Sequence, residues 1–240
     1  MLAGTGFPAG GDGVTDEFAH HLDPIRFAPR FVPYPAQYGG IGLDEPYYDS
    51  RAAGRAALID AIRATPNRVV IAGYSQGAGI VGDVAAEIGA GQHPDLEVLA
   101  AVMIADPGRP RLGGIPGRGA ASGYGISGER PIPRIPAYWA ANEGDPITAL
   151  PAGNPLRSLA DITEYFSLRS AADAERWALD LINRAISNQW QRWWSLDNWR
   201  SWSGAIAYAR GYLFDGRHTD DYLRLGLAAE LAQTINREVS

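Results

Sequence analysis

An apolar run, Val69-Val70-Ile71-Ala72, passes without a linker into Gly73-Tyr74-Ser75-Gln76-Gly77, and small residues follow from Ala78. The run has the length and character of a buried strand, and the residues after Ser75 suit a helix. A strand that turns into a helix over so few residues crowds its own backbone at the turn. Residues on both sides of the serine must then be glycine or nearly so, and the serine Oγ is pushed outward. Gly73 and Gly77 meet that demand, so Arg68 to Gly79 reads as a nucleophile elbow. The alternative is a plain strand-to-helix turn; the buried-strand run directly before Gly-X-Ser-X-Gly argues against it.

The rest of the chain supplies strands and helices around this stretch. Met1-Leu2-Ala3 reads as a first strand that breaks into a Gly/Pro-rich loop through Gly13, and Phe31 to Ala36 as a short strand whose prolines require an edge or strand end. Ser50 is expected to cap a helix running to about Thr65, with Ala57, Leu58, Ala61 and Ile62 on one face. The elbow helix should run to about Gly89. Leu96 to Ile104 and Ile135 to Ala141 read as further buried strands, separated by a Gly-, Pro- and Arg-rich loop from Asp106 to Pro133 that is long enough to be functional or mobile. Residues 155 to 203 turn predominantly helical and hold six of the seven tryptophans, between Trp177 and Trp202. A further helix is expected over Gly204 to Tyr212, a loop over Phe214 to Thr219, and from Asp220 a closing amphipathic helix with Leu223, Leu227, Leu231 and Ile235 on one side. Alternation of strands and helices predicts an α/β fold with a mostly parallel central sheet flanked by helices. The expected division is a catalytic domain over 1–154 and 204–240, with an inserted helical, Trp-rich linker or lid over 155–203.

Composition narrows the chemistry. At 240 residues and 46% hydrophobic content the chain can bury one substantial core, and a net charge of −6 without basic clusters makes nucleic acid a poor partner. There is no cysteine, and the four histidines are scattered, so neither a disulfide nor a metal site is expected, and no cofactor is called for. No stretch is long and apolar enough to span a membrane. The first residues lack the charged and apolar regions of a signal peptide, so synthesis in a cytoplasm is expected, with some other route to any external site of action.

A serine hydroxyl needs a neutral imidazole to take its proton and a carboxylate to orient that imidazole. In an open α/β sheet these groups lie at the carboxyl ends of strands. His93 falls between the elbow helix and the next strand, at the opposite end. His20 and His21 follow the first strand but sit in what reads as a solvated turn. His218, in the loop before the last helix, completes the order nucleophile, acid, histidine of the α/β-hydrolase fold. Asp145 and Asp106 both follow a strand and both precede proline. Counting two strands beyond the nucleophile favours Asp145, while either residue also reads as a loop carboxylate bonding nearby backbone N–H groups. Asp220 and Asp221 read as N-terminal charges of the last helix. For the oxyanion, the Gln76 N–H is one donor by construction, and Thr5 or its neighbour, directly after the first strand, is the other.

The pieces Gly4-Thr5-Gly6, Val32-Pro33-Tyr34-Pro35-Ala36, Gly73-Tyr74-Ser75-Gln76-Gly77, Gly144-Asp145-Pro146 and His218-Thr219, with a helical insertion between acid and histidine, resemble the lysin B family of phages infecting mycolic-acid-bearing actinobacteria. Those are cutinase-like serine esterases that cut mycolates from arabinogalactan. The resemblance implies an α/β-hydrolase fold, Ser75, Asp145 and His218 as a triad, a mycolyl-arabinogalactan substrate, and action at the host envelope during phage-induced lysis. It also implies a linker subdomain beside the lipid site; Tyr74, Trp190 and Trp194 are the expected substrate contacts, most other tryptophans being core. Two other readings stand beside it: a general cutinase-like lipase or polyesterase, and a lipid- or envelope-binding module without turnover.

Overall fold

The computed structural model describes residues 1–37, 47–152, 154 and 216–239. Three strands, β1 (Val70–Tyr74), β2 (Ala100–Ile104) and β3 (Ala137–Ala140), form a parallel sheet in that order. Gly73 is paired with Met103 and Tyr74 with Ile104, and Ile104 in turn with Ala140, so the carboxyl ends of all three strands are level. On the free side of β1, Leu2 makes a parallel bridge to Gly73, its N–H donating to Ala72 O at 2.9 Å while Tyr74 N–H donates to Leu2 O at 3.2 Å.

Side chains alternate across this sheet, and each face buries a different set. Ile71, Ala101, Met103 and Trp139 pack against α2 (Tyr47–Arg63) and α3 (Gln76–Gly89) through Leu58, Ile59, Ile62, Ile80, Val81 and Val84. Ala72, Tyr74, Ala100, Val102, Ile104 and Ala140 pack on the other face, against α1 (Val14–His20), α4 (Asp220–Arg224) and α5 (Leu227–Glu238). A parallel sheet covered on both faces explains why its strands read as unbroken apolar runs. The architecture is α/β, of the α/β-hydrolase kind: parallel strands, a sharp turn from β1 into α3, and loops gathered at the strands' carboxyl ends.

Several elements differ from expectation for local reasons. The Phe31–Ala36 segment is not a strand: Val32 N–H donates to Met1 O and Tyr34 N–H to Pro8 O, and the prolines between them have no N–H to continue a ladder. Ser50 lies inside α2, which begins at Tyr47, and its Oγ accepts the Gln37 N–H at 3.0 Å instead of capping. Strand β2 is shorter than Leu96–Ile104 because β1 starts only at Val70; Leu99 N–H still reaches Val69 O. Pro136 contributes a carbonyl, to Ala101 N–H, but no donor, and β3 starts after it. The closing helix is two helices. Gly226, at φ 67°, takes a left-handed conformation that ends α4, so Leu223 is 41% exposed while Leu227, Leu231 and Ile235 stay buried.

The Gly-rich 106–133 loop is wound around one fully buried guanidinium. Arg109 donates to the carbonyls of Thr148, Gly113, Ala121 and Gly123 at 2.7 to 3.0 Å, with longer contacts to Pro110, Arg111 and Ser122. Burial lowers its pKa below the usual arginine value, against the pull of Tyr222, Asp106, Glu143 and Asp145. The whole of the expected 155–203 insertion, with Trp190 and Trp194, and the expected helix over Gly204–Tyr212 lie outside the described residues. No helix among the described residues is long and apolar enough to cross a membrane.

Candidate active site

Ser75 sits between β1 and α3 at φ 53° and ψ −118°, a left-handed conformation that a residue with a Cβ adopts only under constraint. The constraint is visible in its neighbours. A Cβ on Gly73 would meet Gly77 O at 2.4 Å, and one on Gly77 would meet Leu2 O at 2.4 Å and Ala3 O at 2.6 Å. These are backbone atoms within the elbow and the first segment, so neither glycine can be replaced without moving the turn. Ser75 N–H is fixed to Ile104 O at 2.9 Å.

The loop after β3 delivers Asp145, and the turn before α4 delivers His218. His218 Nε2 lies 2.8 Å from Ser75 Oγ, and Nδ1 lies 3.0 and 3.1 Å from the two oxygens of Asp145. An ionised carboxylate only accepts, so the neutral ring carries its proton on Nδ1 and leaves Nε2 to take the serine proton. Asp145 is fully buried and its Oδ1 also accepts the Ile147 N–H at 2.9 Å. It therefore makes the local backbone bond expected of an Asp-Pro turn and orients the histidine as well.

Three residues not singled out as site residues brace the site, two of them beside this pair. Tyr222, fully buried on α4, donates to Asp145 Oδ2 at 2.7 Å. Asn142 donates its N–H to Tyr222 Oη at 3.1 Å, and its Nδ2 to Arg217 O at 2.8 Å and to Asp221 at 3.1 Å. On the other side of the elbow, Asp12 accepts the Gly4 N–H at 2.9 Å and both donors of Thr15 at 2.7 Å, which pins the Gly4-Thr5-Gly6 turn. A buried tyrosine facing a carboxylate has no sequence spacing to announce it. Asn142 could have been suspected, since it follows the same strand as Asp145.

The remaining candidates separate cleanly. Thr5 lies beside the elbow, its hydroxyl donating to Gln76 Oε1 at 3.3 Å. Neither the Thr5 nor the Gln76 N–H meets an acceptor among the described residues, which suits both to an incoming oxyanion. The Gln76 side chain is buried, donating to Gln37 O at 3.0 Å. Tyr74, expected at the substrate, is instead buried beneath the histidine: its ring stacks on His218 with centroids 5.4 Å apart, and its hydroxyl donates to His218 O at 2.6 Å. Strand alternation turns it to the core face, so it supports His218 rather than facing solvent.

Asp106 is not part of this array. It accepts from Gly108 N–H, Trp139 Nε1 and Arg130, at 2.7 to 2.9 Å, and Arg130 continues to Asp83 on α3 at 3.0 Å. His93 pairs with Glu87 at 3.0 Å, and His21 bonds Glu17 O at the end of α1. Asp221 accepts from Asn142 and Arg224 and is buried, more than the terminal helix charge expected of it. Among the described residues no group of His, Asp and Glu is arranged to hold a metal ion.

Parts of the chain are similar to known proteins. Residues 26–125, less than half of the chain and including the elbow, match the PE-PPE domain. The carboxylesterase Culp6 homolog of Corynebacterium glutamicum is 40% identical over 96 residues, covering 36% of this chain and 31% of that protein. Among solved structures, an iodinated acetyl xylan esterase aligns over 68% of this chain and 93% of its own at 22% identity and a TM-score of 0.43. A cutinase-like protein from Cryptococcus sp. aligns over 70% and 94%, at 17% identity and the same TM-score. The chain is thus similar in sequence to a carboxylesterase over a part of each protein, and spans about a third of that relative's length.

Proposed function

We propose that this protein is a carboxylic-ester hydrolase in which Ser75 is the nucleophile, His218 the general base and acid, and Asp145 the residue that orients the imidazole. The observation that carries the reading is the unbroken line from Ser75 Oγ to His218 Nε2 at 2.8 Å and from His218 Nδ1 to Asp145 at 3.0 Å. A strained serine backbone at the end of β1 and the similarity to a carboxylesterase support it. In the first half-reaction Ser75 Oγ bonds to the ester carbonyl carbon as its proton passes to Nε2. The resulting oxyanion takes the N–H groups of Gln76 and Thr5. Collapse breaks the ester C–O bond, and the proton on Nε2 leaves with the alcohol. Water then attacks the acyl-serine, gives its proton to Nε2, and the acid departs as Ser75 Oγ recovers that proton.

The natural substrate in this reading is a mycolyl ester of arabinogalactan, cleaved at a mycobacterial-type envelope during phage-induced host lysis. What supports this narrower step is the run of matching segments from Gly4 to Thr219 and the Trp-rich stretch between acid and histidine. Very long alkyl chains beside a sugar need a wide apolar surface with some N–H donors, and tryptophan supplies both. A general cutinase-like lipase or polyesterase is the second reading, and the partial match to a Corynebacterium glutamicum carboxylesterase supports ester hydrolysis in either. A fluorophosphonate should label wild type at Ser75 and leave Ser75→Ala unlabelled, with hydrolysis of a nitrophenyl ester lost in parallel. Labelling elsewhere, or full hydrolysis by Ser75→Ala, contradicts the assignment.

A further inference from the structure

Asp145 has more donors than the histidine alone requires. Its carboxylate is fully buried, Nδ1 of His218 lies almost equally far from both oxygens, and each oxygen receives one further hydrogen bond: Oδ1 from Ile147 N–H at 2.9 Å and Oδ2 from Tyr222 at 2.7 Å. The Ile147 bond belongs to the turn that builds the loop. The Tyr222 bond comes from a different element, reaching across 77 positions of sequence. Its direction is fixed. A phenol has one proton, and the approach of Asn142 N–H at 3.1 Å occupies the oxygen as acceptor, so the proton has Asp145 as its partner. Tyr222 is fully buried, away from bulk solvent.

We infer that Tyr222 is a positioning residue for the proposed reaction: its hydroxyl holds the Asp145 carboxylate in the ionised, doubly accepting form that the His218 Nδ1 proton needs. The inference rests on the ester-hydrolase reading and adds to it a residue that acts through Asp145. Burial first, and then the negative charge of Asp145, push the Tyr222 phenol far above its ordinary pKa, so it remains a donor through the alkaline range. The charged and titratable groups around this point come from every side. Tyr74 is on β1, Arg109 on the loop after β2, Glu143 and Asp145 on the loop after β3, and Arg217, His218 and Asp221 at and before α4. Helices α1 and α5 contribute Val14, Phe18, Leu227 and Leu231 to the same core.

The direction of the effect follows from the hydrogen bond. A donor to the carboxylate disperses its charge, and removing that donor makes the Asp145–His218 pair bind a proton more tightly, whichever member carries it. Only the unprotonated pair can accept the serine proton. Tyr222→Phe should therefore move the acid limb of kcat/KM to higher pH, by about half a unit or more, and lower kcat roughly tenfold with KM little changed. Site-specific 3-fluorotyrosine at position 222, a stronger donor of nearly the same shape, should move the limb the other way.

The experiment is the pH profile of nitrophenyl-ester hydrolysis for wild type, Tyr222→Phe, the fluorotyrosine protein and Ser75→Ala. Opposite displacements of the acid limb in the two Tyr222 variants support the inference. An acid limb and kcat that match wild type in Tyr222→Phe, with only Tm lowered, make the hydroxyl a structural pin and overturn it. Should Tyr222→Phe fail to fold, an unmoved limb in the fluorotyrosine protein overturns it alone. Undiminished hydrolysis by Ser75→Ala would remove Ser75 as the nucleophile, and no hydrolysis by wild type would remove the ester-hydrolase reading itself; both are distinct from either Tyr222 outcome.

Discussion

Two buried aspartates before proline look alike in the sequence and are opposites in the structure. Asp145 accepts from His218 Nδ1; Asp106 accepts from an arginine, an indole and a backbone N–H. Both Asp145 oxygens lie 3.0 to 3.1 Å from His218 Nδ1, so an amide there sets its N–H₂ beside the ring nitrogen in either orientation and removes the charge that keeps the proton on Nδ1. Asp145→Asn should lower kcat by roughly 10⁴-fold while the protein stays folded. Asp106→Asn removes the charge opposite Arg130, and breaking such a buried pair should cost on the order of 3 kcal/mol of stability with the rate per folded molecule largely kept. Steady-state kinetics and thermal melts of the two variants check this. A crippled Asp106→Asn beside an active Asp145→Asn would contradict it. At this scale Ser75, Asp145 and His218 were legible because motif, chain order and strand ends are local or topological signals. Tyr222 and Arg109 were not, since their roles exist only once distant loops have closed around them.

Elements set where these residues can act. Strand β1 hands Ser75 to the N-terminus of α3, and α3 is braced against α2 by Arg55, whose guanidinium meets the Glu87 carboxylate at 2.5 to 3.0 Å with His93 on the same group. Burial alone would raise the Glu87 pKa, but the hydrogen bonds from Arg55 and His93 outweigh it and hold the carboxyl below its ordinary value. A depressed carboxyl adds stability that is complete above the unfolded value of about 4.3 and is lost as pH falls through the lower folded value. Glu87→Gln should therefore lower Tm modestly at pH 7, and the difference from wild type should shrink as pH falls below the unfolded value and vanish below the lower folded one. A difference that persists unchanged into acid would mean that packing, not charge, links the two helices. Strands β1, β2 and β3 and helices α2 and α3 were readable from apolar runs and periodicity, whereas the Phe31–Ala36 strand and the single closing helix were not borne out, α1 went unread, and the ends of the elements shifted. Pro136 without an N–H, the late start of β1 and the left-handed Gly226 each moved a boundary by a few residues.

For the molecule as a whole, the sheet's level carboxyl ends bring the loop after β3 and the turn before α4 to the elbow, and two separate apolar clusters hold the helices that carry them. The α/β class was legible because strands buried on both faces are unbroken apolar runs. The expected Trp-rich insertion over 155–203 lies outside the described residues. The proposed mycolyl substrate and Ser75 are tested together by release of free mycolic acids from purified mycolyl-arabinogalactan, wild type beside Ser75→Ala. Wild type should release them and Ser75→Ala should release none. Hydrolysis of a nitrophenyl ester by wild type with no mycolate released would contradict the proposed substrate, and equal release by Ser75→Ala would contradict the proposed nucleophile.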